Sequence, residues 1–135
     1  MDEKIIKISP NIERAKSLVK SSEKTLKFAK KNVLNEENSG VLLCNYYESL
    51  IELLHSFAYF KGFKILDHQS FYGFINEEFK SIDKAMLFDK YRKIRNSVIY
   101  YGKEIDINVA KSGIREIEDL IKFLKTKTRK WNKNV

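Results

Sequence analysis

The residues best suited to chemistry lie in one predicted helical segment, Tyr91–Gly102. The apolar face of this segment is formed by Leu87, Tyr91, Ile94 and Val98. At about 100° per residue, Arg95 falls within that face. A guanidinium there needs a carboxylate, a carbonyl, a dimer cleft or a ligand phosphate as its partner. Two interpretations are open. Arg95 either anchors a phosphate, or is structural and reaches the helix edge or an acid such as Glu48 or Glu52.

A second polar set lies on the neighbouring face of the same segment. Arg92, Asn96 and Tyr100 follow one another at intervals of four, so they share a side of the helix. Tyr101 comes next, just before the helix is expected to end. Guanidinium, amide and phenol groups are all donors to phosphate oxygens. We therefore predict that these residues, with Arg95, bind nucleic acid or a nucleotide.

The remaining reactive residue types are few. His68 follows Asp67 at a predicted helix start and is either a capping-region residue or a site residue. His55 lies in a long apolar segment, which favours a structural role, and Cys44 is expected to fill the core. Two histidines and one cysteine cannot form a zinc site of the usual kind. We predict no metal and no cofactor.

Charge and composition limit the function classes. Lys and Arg number 26 against 18 Asp and Glu, a formal net charge of +8. This excess either attracts polyanions, with salt-sensitive binding, or only keeps the protein soluble. The sequence has no Gly-rich phosphate loop and no Gly-x-Ser-x-Gly motif. It also lacks a signal-peptide core and a stretch of membrane-span length, so we expect a cytoplasmic protein without membrane contact.

Long helices are needed to position these residues. Five Gly and one Pro among 135 residues are too few for a sandwich or barrel. Ser9-Pro10 is expected to start the first helix. Its basic stripe, opposite the apolar face, is either a solvated surface or a surface for a phosphate backbone. The stripe consists of Lys16, Lys20, Lys24, Lys27 and Lys31.

Four more helices follow from the apolar periodicity. The second is apolar on most sides and ends at Gly62, so it is either central in a bundle or shared with a partner. Asp67 or His68 opens the third, Ser81 the fourth and Asp106 the fifth. We predict an all-α, antiparallel bundle of about five helices. It forms one domain over residues 1–135, with a core at about 10–125 and a basic, frayed tail at 126–135.

The Tyr91–Gly102 segment resembles the signature of HEPN domains. Those helical domains carry an Arg, usually followed by a polar residue such as Asn, and a His four to six residues later. Arg95-Asn96 matches the first half, but Tyr100 stands where the histidine is usual. The order of the elements is also similar, since a long apolar helix ends at Lys61-Gly62-Phe63 and the Arg-Asn helix follows. The resemblance covers about residues 12–124.

The resemblance implies a helical bundle that forms a homodimer, in which the motif helices of two protomers meet at a cleft. Active members are metal-independent ribonucleases that use the Arg and His near the scissile phosphate. Many are toxins encoded beside a small nucleotidyltransferase, which in some systems adenylylates a tyrosine next to the motif. A phenol with a pKa near 10 is a poor base at neutral pH, although it can donate a hydrogen bond to phosphate, so the acid–base group is absent at its usual place.

The sequence is therefore compatible with three functions. The leading one is a HEPN-like dimeric domain that binds RNA or a nucleotide and pairs with a nucleotidyltransferase, without strong nuclease activity. The second is a metal-independent endoribonuclease that uses Arg95 with His68 or Tyr100. The third is an interaction module whose long apolar helix docks a protein partner. Arg95 and Tyr100 are five residues apart and do not share a helix face. They can serve one site only through long side-chain reach, through a loosened last helical turn before Gly102, or if each comes from a different protomer.

Overall fold

The computed structural model describes residues 2–132 and contains five helices and one two-stranded sheet. The elements are β1 (Ile5–Lys7), α1 (Ile12–Lys30), α2 (Ser39–Lys61), β2 (Phe63–Ile65), α3 (Phe71–Phe79), α4 (Ile82–Tyr101) and α5 (Ile107–Asn132). The predicted all-α bundle of five helices is confirmed. None of the helices within residues 2–132 combines the length and the apolar character that crossing a membrane requires.

The long apolar helix α2 is the centre of the bundle. It packs against α1, α4, α5 and β2, and most of its side chains are buried. Its largest fully buried residues are Leu43, Tyr47, Leu50, Leu53 and Leu54. Of the two roles expected for an all-round apolar helix, the structure shows the central one. Docking a partner would therefore require another surface.

The pairs α1–α2, α2–α4 and α4–α5 are antiparallel, and α2–α5 is parallel. Between α2 and α4, Gly40 lies beside Val98 and Tyr47 beside Phe88. Arg14 on α1 lies over Tyr59 on α2, whereas Ser22 further along α1 meets Ser49. The fifth helix, α5, is antiparallel to α4 and therefore parallel to α2. Phe123 of α5 lies beside Lys84, near the start of α4.

Most predicted helix ends are present. Gly62 and Gly102 adopt left-handed conformations, with φ of 88° and 62°, directly after α2 and α4. The Ser81 side chain caps α4 by accepting from the Lys84 N–H at 3.2 Å. The predicted start of α1 at Ser9-Pro10 is wrong. Asn11 caps α1 instead: its side-chain oxygen accepts from the Arg14 N–H at 3.0 Å, and its own N–H donates to the Tyr59 carbonyl at 2.9 Å.

A small antiparallel sheet fixes the loop that carries His68. β1 pairs with β2 in the register Ile5↔Ile65, and the Leu66 N–H donates to the Lys4 carbonyl at 2.8 Å. In this loop the Asp67 carboxylate accepts from the Ser70 N–H at 2.9 Å. The helical residues of α3 therefore begin after Ser70, and the predicted start at Asp67 or His68 is too early by a few residues.

The C-terminal segment is more ordered than its basic composition indicated. α5 continues to Asn132, so the predicted frayed tail from residue 126 is wrong for residues 126–132. The cause is packing: the Trp131 ring stacks on Phe60 with centroids 4.4 Å apart, and Thr128 is buried. The rest of the predicted tail, 133–135, lies outside the described residues.

Candidate functional site

An open cleft of about 350 Å³ lies between the loop after β2 and the C-terminal half of α4. The loop contributes one side, and successive turns of α4 contribute the other. The lining residues are Asp67, His68, Gln69, Arg92, Arg95, Asn96 and Tyr100. The cleft therefore contains five of the residues predicted from the sequence to form a site, at positions 68, 92, 95, 96 and 100.

Arg95 lines this cleft and lies near two aromatic rings. Its guanidinium carbon lies 5.5 Å from the Tyr47 ring centroid and 6.0 Å from that of Tyr100. Its Nη1 donates to the Asn96 side-chain oxygen at 3.1 Å. Side-chain reach within one chain therefore brings Arg95 and Tyr100 to one site, although they leave the helix in different directions.

The predicted alternative of an internal ion pair for Arg95 does not form in the structure. Within residues 2–132 Arg95 makes no salt bridge, to Glu48, to Glu52 or to any other acid. Glu52 instead accepts hydrogen bonds from Ser21 and Thr25 on α1, the latter at 2.6 Å. A half-buried guanidinium is thus left facing an open cleft, which favours a ligand anion as its partner.

Arg92 is held in place by an acid on its own helix. Its Nε donates to the Asp89 carboxylate at 2.7 Å, and Lys93 pairs with the same carboxylate at 3.5 Å. Although burial acts against it, the hydrogen bond from Arg92 lowers the pKa of Asp89, so this carboxylate stays ionised. The bond uses the Nε of Arg92, and Arg92 also lines the cleft.

His68 is oriented by a residue that the sequence did not single out. Its Nδ1 lies 3.0 Å from the Tyr47 hydroxyl. Burial lowers the pKa of His68 below its ordinary value, and the charges of Arg95 and Arg92 lower it further, with Asp67 acting in the opposite direction. Burial raises the pKa of Tyr47, so its phenol stays protonated. A neutral imidazole is therefore held beside two cations, where it can donate or accept one proton at Nε2.

His55 has the structural role expected from its surroundings. Its ring packs edge-on against Phe71 at 4.8 Å, behind His68, whose ring centroid is 6.2 Å away. Burial lowers the pKa of His55 to about 4, with smaller contributions from His68 and Arg14. His55 is not part of the cleft lining.

Some predicted site residues lie elsewhere. Tyr101 has 79% of its side chain exposed and does not line the cleft. The five lysines of the α1 stripe are outside the cleft as well, and Lys20, Lys24, Lys27 and Lys31 are exposed. Tyr47 and Gln69 were missed, because Tyr47 reads as an ordinary core residue of α2 and Gln69 as part of a short loop.

Within residues 2–132 no group of three or more His, Cys, Asp or Glu side chains is arranged to hold a metal ion. The groups that line this cleft are two guanidiniums, two amides, a phenol, a neutral imidazole and the Asp67 carboxylate. Compared with models of protein families, with curated proteins and with solved structures, the chain shows no significant match.

Proposed function

We propose that the cleft binds phosphate groups of RNA or of a nucleotide. The observation that supports this most directly is Arg95, a half-buried guanidinium that faces an open cleft and forms no salt bridge within residues 2–132. Guanidinium presents paired N–H donors that match phosphate oxygens, and such charge-assisted bonds are about twice as strong as neutral ones. The net charge of +8 assists the approach of a polyanion.

The neighbouring side chains suit the rest of a nucleotide. Arg92 can add donors to the same phosphate or to the next one. The Tyr100 side chain is 67% exposed at the edge of the cleft, so its ring is accessible to a base. Stacking of a base on an aromatic ring contributes about 1–3 kcal/mol and tolerates any base. This combination favours single-stranded RNA over a duplex, whose bases are already stacked.

The similarity to HEPN domains extends this proposal. The Arg-Asn pair lies on a helix in a five-helix bundle, as the resemblance requires, and Tyr100 takes the position where a histidine is usual. We therefore propose a HEPN-like binding domain without strong nuclease activity, acting as a homodimer beside a small nucleotidyltransferase. Exposed Ile99, Tyr100 and Tyr101 at the end of α4 provide apolar surface for such a dimer. Light scattering at micromolar concentration tests this, and a monomer mass counts against it.

A second function is favoured by one specific observation, the presence of His68 in the cleft with Arg95. A neutral imidazole can take a proton from a ribose 2′-hydroxyl as its oxygen attacks the neighbouring phosphorus. The P–O5′ bond breaks, the 5′-oxygen takes a proton from water or from the imidazolium, and a 2′,3′-cyclic phosphate remains, while the guanidinium stabilises the charge on the phosphate. The protein would then be a metal-independent endoribonuclease. Cleavage of RNA in EDTA that His68→Ala and Arg95→Ala both abolish would establish this function in place of simple binding.

The test of the leading proposal is a filter-binding titration with single-stranded RNA. Arg95→Ala should weaken binding by roughly 10- to 100-fold, about 1–3 kcal/mol for a lost charge-assisted contact. Lys90→Ala is the matched control, because Lys90 is exposed on the same helix, carries the same charge and does not line the cleft. Equal losses in the two variants, or no loss in Arg95→Ala, would contradict the proposed site.

A further inference from the structure

A second pocket, of about 460 Å³, lies at the other end of the bundle, where α2, α3 and α5 end. Its apolar lining is entirely aromatic and consists of Phe57, Phe60, Phe79, Phe123 and Trp131. Trp131 stacks on Phe60, and the Phe57 ring meets Trp131 edge-on at 6.0 Å and Phe79 at 5.1 Å. These contacts form one continuous aromatic wall.

Four lysines surround this aromatic wall. Lys61 forms a salt bridge to Glu78 at 3.1 Å. Lys80, Lys127 and Lys130 form no salt bridge with any carboxylate in residues 2–132. The Lys127 ammonium lies 5.3 Å from the Phe123 ring centroid, directly at the pocket wall. Four lysines and one glutamate give the pocket lining a formal charge of +3.

One of these lysines is held in an unfavourable backbone conformation. Lys80 follows α3 with φ of 51°, in the left-handed region, and is the only non-glycine residue at 2–132 with a positive φ. Gly62 and Gly102 occupy the equivalent position after α2 and α4, where the missing Cβ removes the steric cost. A charged side chain is therefore present at the pocket where glycine would be conformationally easier.

We propose that this pocket binds an aromatic anion, that is, one or two planar rings that carry a carboxylate, sulfonate or phosphate group. The rings would contact the aromatic wall, and the anionic group would meet the ammonium groups of Lys80, Lys127 and Lys130. The volume is in the range of small-molecule sites, about 300–1,000 Å³.

The pocket is separate from the phosphate-binding cleft. Tyr47 at the cleft and Phe60 at the pocket are thirteen residues apart on α2, about 20 Å along the helix. The ligand chemistry differs too, because the cleft offers guanidiniums and a single exposed ring, whereas the pocket offers five aromatic rings and ammonium groups. The two sites can therefore be tested independently.

The probe pair is 8-anilinonaphthalene-1-sulfonate and its uncharged analogue N-phenyl-1-naphthylamine, which differ only in the sulfonate. Trp131 is the only tryptophan of the chain and lines this pocket, so either probe bound here must receive energy from it. We expect the sulfonate to bind once per chain, at least tenfold more tightly than the uncharged analogue. Equal affinities, or no energy transfer from Trp131, would overturn the proposal.

Charge reversal locates the anionic group. Lys127→Glu combined with Lys130→Glu should weaken binding of the sulfonate at least tenfold. Lys20→Glu combined with Lys24→Glu on the exposed face of α1 makes the same change in net charge and should leave it within about twofold. Equal losses in the two double variants would mean that only the overall charge attracts the probe, and would refute the site.

Two further measurements sharpen the assignment. Lys80→Gly should raise the melting temperature, because it relieves the positive φ, and should weaken the sulfonate severalfold. A higher melting temperature with unchanged affinity would remove Lys80 from the site. Displacement of the bound dye by 2-naphthoate would identify an aromatic carboxylate site, and displacement by adenosine monophosphate a nucleotide site. Displacement by neither compound would overturn the proposal.

Discussion

Two polar regions of this molecule differ in whether their hydrogen-bonding groups are satisfied within the protein. Between α1 and α2, the buried Ser22 hydroxyl donates to the Ser49 carbonyl at 2.7 Å, and the Ser49 hydroxyl donates to the Ser22 carbonyl at 2.8 Å. Glu52 completes this interface by accepting from two hydroxyls of α1. Every one of these groups is satisfied inside the protein, as expected where two helices approach closely.

The cleft beside α4 is different, because its strongest donors point towards an open space. Among residues 2–132 Arg95 has a single side-chain hydrogen bond, to its neighbour Asn96, and its guanidinium lies near the rings of Tyr47 and Tyr100. The comparison separates polar residues that hold the fold from polar residues that are available to a ligand. Substitutions in the first region should therefore change stability, and substitutions in the second should change binding.

The largest effect is expected at the interface of α1 and α2. Ser49→Val removes the reciprocal hydroxyl and adds methyl groups where the side chain is fully buried. We expect a loss of about 2–4 kcal/mol in the free energy of unfolding, from overpacking together with the lost hydrogen bond to the Ser22 carbonyl. Urea denaturation measures it, with RNA affinity of the folded variant unchanged. A loss below 0.5 kcal/mol would show that the interface between α1 and α2 accommodates valine without the Ser49 hydroxyl.

The next effect concerns pH and His55. Its pKa is lowered from 6.5 to about 4 in the folded chain, so the unfolded chain binds a proton first as the pH falls. The stabilisation that comes from keeping His55 neutral should be fully present above about pH 6.5. The free energy of unfolding should then decrease by on the order of 2–3 kcal/mol towards pH 4. Denaturation curves of the protein and of His55→Leu between these pH values test this. The variant should lose much of the pH dependence, and an unchanged dependence would exclude His55 as its source.

A smaller effect on stability is expected in the cleft itself. Arg95→Ala should change the free energy of unfolding by less than about 0.5 kcal/mol, because no buried carboxylate loses its partner. The pKa of His68 should rise, since the charge of Arg95 is one cause of its lowering. NMR titration of the His68 ring protons in the unchanged protein and in Arg95→Ala measures the change in this pKa and shows whether Arg95 causes it. A destabilisation of 3 kcal/mol or more would place Arg95 with the fold-forming polar residues instead.

The smallest effect is expected on the α1 stripe. Lys24→Ala removes a fully solvated charge outside the cleft, so binding of single-stranded RNA should weaken by less than about threefold near physiological salt. The salt dependence of the affinity should stay nearly the same. A tenfold loss would mean that the RNA follows α1, and the lysine stripe would then belong to the binding surface.

The sequence predicted the helices well because each follows from local signals. The spacing of apolar residues, the Ser81 cap and the glycines after α2 and α4 are properties of neighbouring residues. The errors came from distant contacts. Nothing near Asn11 indicates that its N–H bonds to the Tyr59 carbonyl, and nothing near Trp131 indicates that its ring stacks on Phe60.

The candidate site was predicted only in part for the same reason. Helical spacing places Arg92, Asn96 and Tyr100 on one face of α4, and all three line the cleft. His68 is more than twenty residues away in sequence, and the packing of α3 against α4, with the β1–β2 pairing, brings its loop to Arg95. The Tyr47 hydroxyl that orients His68 belongs to a side chain that periodicity assigns simply to the core.

The pairing of β1 with β2 connects the start of the chain to this site. Ile65 ends β2 only three residues before His68, and its partner Ile5 is separated from it by sixty residues of chain. Closing so long a loop costs conformational entropy. The hydrogen bonds between β1 and β2 offset this cost together with the packing of α1 against α2. Residues 5–7, which are distant from His68 in sequence, therefore help to hold the His68 loop in position. Shortening the N-terminus would release the His68 loop without removing any residue that lines the cleft.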